Sequence, residues 1–218
     1  MHYIERKLQE MTKRQNQHCG CDIKVSSARE RRILIIVLLI NAGMFFAEFA
    51  AGILSNSTAL LADSLDMLAD AFVYAIGLYA LGRPTHWRVR AALSSGILQL
   101  LLGAGVFIEA THKIFVETLP DAGTMGVFGV LALIANTVSF ILLARYRDGD
   151  INLRATWVCS RNDMLANIGI LIASGLVLYF HSPWPDIVIG SLIAVVIIHS
   201  AWVIIKEARS SLNSDHSF

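Results

Sequence analysis

Ile187-Val-Ile-Gly-Ser-Leu-Ile-Ala-Val-Val-Ile-Ile-His-Ser-Ala-Trp-Val-Ile-Ile205 runs for 19 residues without Asp, Glu, Lys or Arg. A helix needs about 20 mainly apolar residues to cross the hydrocarbon of a bilayer. Uncharged runs of similar length recur at 91–108, 122–144 and 164–185, and a shorter one at 33–47. After Glu48 the chain is again uncharged to Ala62. The stretch 58–82 is apolar except for Asp63, Asp66 and Asp70. The pattern predicts six transmembrane helices near 33–54, 58–82, 90–109, 123–145, 156–180 and 186–205. The fold class is therefore an all-α integral membrane protein.

Composition agrees. Of 218 residues, 55% are hydrophobic and 16% charged, with a mean hydropathy of +0.58, too apolar for an ordinary water-exposed surface. A net charge of +1 gives no electrostatic reason for a nucleic-acid partner, and three cysteines cannot staple a disulfide fold.

Basic residues gather on the cytoplasmic side of membrane spans. Eight precede the first span, from Arg6 to Arg32. Arg83, Arg88 and Arg90, then Arg145, Arg147 and Arg154, and finally Lys206 and Arg209 fall on the same side. The opposite side has Lys113 alone, and Arg161 lies inside a span. This asymmetry places both termini in the cytoplasm. The chain then divides into an N-terminal tail, 1–32, a six-helix region, 33–206, and a short C-terminal tail, 207–218.

Ionisable groups in hydrocarbon are costly and mark function by default. Asp66 and Asp70 stand four apart, on one face of the second helix. Asp63 flanks that face. In the fifth helix, Cys159 and Asp163 repeat the spacing. Two antiparallel helices, each with such a pair, can build a four-ligand cage, with Asp66 near the level of Asp163 and Asp70 near Cys159. Three carboxylates and a thiolate need a counter-charge. Oxygen and sulfur donors in a tetrahedron suit zinc, and sulfur extends the choice to cobalt and cadmium. Protons compete with metal for the same atoms. A site that exchanges a divalent ion for protons is the core of an antiporter, with metal as transported substrate and no prosthetic group. The plainer reading is that these acids are protonated glue between helices. For Asp63 the two readings stand level, and Cys159 is either a ligand or a small apolar filler.

These residues carry a resemblance. The stretch Ser57-Thr-Ala-Leu-Leu-Ala-Asp-Ser-Leu-Asp-Met-Leu-Ala-Asp70 resembles the second-helix motif of the cation diffusion facilitator family, and Trp157-Val-Cys-Ser-Arg-Asn-Asp163 its fifth-helix motif. Cys159 departs from the His or Asp usual there, and Asn162 is an alternative donor. The resemblance implies proton-coupled efflux of divalent metals across the inner (plasma) membrane by a homodimer. The chain stops before the cytoplasmic ferredoxin-like domain of many members, so dimer contacts would lie elsewhere.

Other polar residues have weaker readings. Glu48 is either a supporting partner of the site or an interhelical hydrogen bond. Arg161 either pairs with a carboxylate such as Asp63 or reaches for the interface. A metal-dependent or aspartyl intramembrane hydrolase is the rival reading. It lacks a Gly-x-Gly-Asp element and a His-Glu-x-x-His pair in this sequence.

The tail carries His18-Cys19-Gly-Cys21, either a soft-metal site or incidental thiols. A peptide spanning 1–32, mixed with zinc under reducing conditions, should show a one-to-one adduct by native mass spectrometry if it is a site. Absence of the adduct removes that reading.

Overall fold

The computed structural model describes residues 28–79, 85–116, 118–144 and 151–215. The tail residues His18, Cys19 and Cys21 lie outside them. Six helices are described: α1 (Ala28–Ser55), α2 (Thr58–Tyr79), α3 (Thr85–Val116), α4 (Ala122–Ala144), α5 (Ile151–Phe180) and α6 (Trp184–Asp215). All helices but α2 contain stretches of 21 to 27 residues long and apolar enough to cross a membrane. The 22 residues of α2 span about 33 Å at 1.5 Å per residue. Its three aspartates alone set it apart.

Several helices overrun the spans expected from charge. Helix α3 extends to Val116, α5 begins at Ile151 and α6 continues to Asp215. Expected spans ended at the first charged residues, but a helix can carry charge once it leaves the hydrocarbon. At 32 residues each, α3 and α6 are about 48 Å long, well beyond the roughly 30 Å of a bilayer core.

Helix α2 is the hub, packing against all five others, most extensively against α1. Its only exposed large apolar side chains are Phe72 and Tyr79. By contrast α1, α4 and α6 turn Leu39, Phe46, Ile134, Ile141, Leu192 and Trp202 outward, the apolar rim that a lipid-facing surface requires. Two apolar clusters fill the interior. The first joins Ala59, Leu60 and Ala62 of α2 to Met125, Ile170, Ala173 and Ile197. The second joins Tyr74 to Leu34, Val37 and Leu143. The aspartates of α2 lie between them.

The most extensive contact joins α3 to α6. A Cβ on Gly96 would lie 2.9 Å from Ile205, and one on Gly103 2.9 Å from Ile198. Gly96, Gly103 and Ala110 on α3 face an antiparallel row of Ala194, Ala201 and Ala208 on α6, all buried. Small residues seven apart let two backbones approach along their length.

The loops at one end of the bundle fix α2. Helix α1 stops at Asn56, which has a left-handed backbone (φ 52°). The Asn56 N–H donates to Ile53 O (3.3 Å) and the Ser57 N–H to Gly52 O (3.0 Å), a Schellman ending. Ser57 then caps α2, its hydroxyl accepting from the Leu60 N–H at 3.1 Å. The same hydroxyl donates to the carboxylate of Asp186, in the first turn of α6, at 2.6 Å. Asp186 also accepts from the backbone N–H groups of Thr58 (2.8 Å) and Ala59 (3.0 Å). Fully buried, it neutralises the positive end of the α2 dipole. Gly190, one turn along α6, makes room: a Cβ there would meet the Thr58 backbone at 2.8 Å. Lys113, the lone basic residue expected on this side, is buried and donates to Asn56 O. Nearby, the Asp121 N–H donates to Ser55 O at 2.9 Å. Hydrogen bonds from the Thr124 side chain and backbone hold the Asp121 carboxyl below its usual range.

Asp186→Ala strands three buried donors and should lower stability by about 3 kcal/mol, at 1–3 kcal/mol per unsatisfied group. Ser57→Ala should cost about 1 kcal/mol. Denaturant titration of detergent-purified protein checks the order. Gly190→Ala should also destabilise, by about 1–3 kcal/mol, because backbone rather than a side-chain tip blocks the methyl.

Candidate metal centre

Four-residue spacing on α2 turns Asp66 and Asp70 toward the same side, and both are half-buried. The phenol of Tyr74, one turn further, donates to Asp70 Oδ2 at 2.9 Å. Tyr74 is 2% exposed and part of the second apolar cluster, so packing fixes the group that orients Asp70. On α5, Asp163 is also half-buried. Its backbone carbonyl accepts from Asn167 Nδ2 at 2.7 Å. The Ser160 hydroxyl, in the preceding turn, donates across to Asn136 O of α4 at 3.3 Å.

Helices α2 and α5 touch, and the acids of α2 face Asp163 across that contact. Asp70 acts most strongly on the Asp163 carboxyl, then Asp66, then Asp63. Among the described residues, no three His, Cys, Asp or Glu side chains lie close enough together to hold a metal as they stand. Carboxyls of like charge have no reason to close on one another by themselves. Cys159 falls on α5, but its side chain lies outside the described residues.

The accessory candidates separate. Asn162 is exposed, turned away as expected for the residue next to Asp163 on a helix. Arg161 is exposed too, and no hydrogen-bond partner reaches either Asp63 oxygen. The expected Arg161–Asp63 pair is therefore absent, because residues 161 and 163 project about 200° apart on an ideal helix. Glu48 and Asp63 are buried at 0% and 1% exposure. Asp186 was legible in the sequence only as a charge bounding a span.

A family model for the cation efflux transmembrane domain matches residues 34–213. The zinc transporter ZitB of Pectobacterium atrosepticum is 31% identical over 193 residues, 82% of this chain and 60% of that protein. The metal cation efflux system protein CzcD of Cupriavidus metallidurans is 26% identical over 84% of this chain and 60% of its own length. A cadmium, cobalt and zinc/H(+)-K(+) antiporter of Bacillus velezensis is 25% identical over 82% of this chain and 61% of its own. The chain thus spans about three-fifths of the length of these relatives.

Paired cysteines test the register across the α2–α5 contact. In a background without native cysteines, positions 70 and 163 should cross-link faster than 66 and 163 with a short bifunctional reagent. The reverse order would support the register expected from sequence.

Proposed function

Because this chain belongs to the cation efflux, or cation diffusion facilitator, family, we propose that it exports divalent transition metals, zinc foremost, in exchange for protons. Asp66, Asp70 and Asp163 are the proposed ligands, with Cys159 as the fourth. The observation that carries the reading is the meeting of α2 and α5. It brings acids from two helices within electrostatic reach inside the bundle. The relatives support the substrate class, since their names specify zinc, cadmium and cobalt.

In this reading a hydrated ion enters from the cytoplasmic side, where the basic loops and both tails lie. It exchanges water for carboxylate oxygens, whose charge offsets the cost of dehydration. Tyr74 holds Asp70 in place through one hydrogen bond, leaving its other oxygen for the ion. Rocking of helices exposes the acids to the opposite side, where protons displace the metal. A plasma-membrane location and a homodimer complete the proposal.

Reconstituted vesicles test it. An acidic lumen should accelerate zinc uptake and the lumen should lose protons as zinc enters. Asp70→Ala and Asp163→Ala should fall to the rate of protein-free vesicles. Uptake by Asp70→Ala at the parent rate would contradict the site, and zinc entry without luminal pH change would remove the proton half. Cys159→Ser should slow cadmium more than zinc, since cadmium depends more on a soft donor.

A further inference from the structure

Two buried acids remain outside the proposed ligand set. Glu48 projects from α1 and Asp63 from α2, at 0% and 1% exposure. The α1–α2 hairpin sets their register. Gly52 packs on Leu61, where a Cβ would lie 2.9 Å from the Leu61 side chain. Glu48 lies one turn from Gly52 on the same face of α1. Asp63 lies two residues past Leu61. Their carboxyls come within hydrogen-bonding reach of each other, yet among the described residues all four oxygens lack a donor. An ionised carboxylate only accepts, so two of them side by side make no bond and repel in low dielectric. With one hydrogen between them, one donates to the other and the pair carries a single charge.

Among the described residues, no cation donates to any of the four oxygens. On α2 the next acid is Asp66, one turn on, and from α5 the facing acid is Asp163. Helix α4, packed on α1, has no ionisable side chain over 122–144. On α3 and α6, Glu109, Lys113 and Asp186 act on one another at the hairpin end. Arg31 and Arg32 are exposed at the far end of α1. No hydrogen bond joins Asp63 to Asp66.

We propose that Glu48 and Asp63 form a proton-binding site separate from the metal ligands. The pair releases its proton to water when a divalent cation occupies Asp66, Asp70 and Asp163, and regains one when the cation leaves. The inference rests on that metal site. An O–H bond of the pair breaks on release and re-forms on return, and no other bond changes. The coupling is electrostatic, since Asp63 lies within reach of both Asp66 and Asp163 and a double positive charge there favours ionised neighbours.

The test is calorimetric titration of the full chain in nanodiscs with zinc chloride. Buffers of different ionisation enthalpy give the number of protons released per zinc. Glu48→Gln and Asp63→Asn should each release about one proton fewer than the parent, and the slope of log Kd against pH should flatten by about one. Glu48→Asp, which keeps a carboxyl, should restore the parent count and separates a lost proton from lost packing. An unchanged proton count in both neutral variants overturns the proposal. So does loss of zinc binding as complete as in Asp70→Asn, which would make these acids ligands. A parent protein that takes up no zinc overturns the metal site, and this inference with it.

Discussion

The Asp186 carboxylate holds the start of α2 in the bundle. It takes three hydrogen bonds from Ser57, Thr58 and Ala59 at 2.6 to 3.0 Å, in a place where no water can reach it. A helix that carries three aspartates has little affinity for hydrocarbon. It can sit at the centre only if its N-terminal N–H groups are satisfied and neighbours surround it. Asp186 meets the first need, and contact with all five other helices meets the second. The positions of Asp63, Asp66 and Asp70 follow from that anchor, because each is a fixed number of turns from Ser57.

The acids fall into two kinds. Asp66, Asp70 and Asp163 are half-buried and face each other across the α2–α5 contact. Glu48 and Asp63 are sealed, and among the described residues no donor reaches their oxygens. Half-burial leaves the first three within reach of water, whereas complete burial denies it to the other two.

Six helices, their order and the acids of α2 and α5 were legible because charge is so unevenly spread along the chain. A span could be recognised by what it lacks. Helix ends were not legible by that criterion. Arg154 and Lys206 lie within α5 and α6, since a helix outside the hydrocarbon tolerates charge. Nor was Asp186 recognisable as a cap, because its partners stand 127 to 129 residues away in sequence. Spacing within each helix fixes which residues share a face, but only packing decides their relative height. Arg161 illustrates the limit: near Asp163 in sequence, it points elsewhere.

The seam between α3 and α6 has a mechanical consequence. Gly96 and Gly103 bring these two backbones together over several turns, each leaving a hole that an isoleucine of α6 fills, Ile205 at the first and Ile198 at the second. Such a joint resists sliding, because each isoleucine would have to leave its hole, and any separation would open empty space along its length. The two long helices therefore behave as a single strut. Asp186 pins the start of α2 to that strut, so any movement of α2 against it has its pivot at that end.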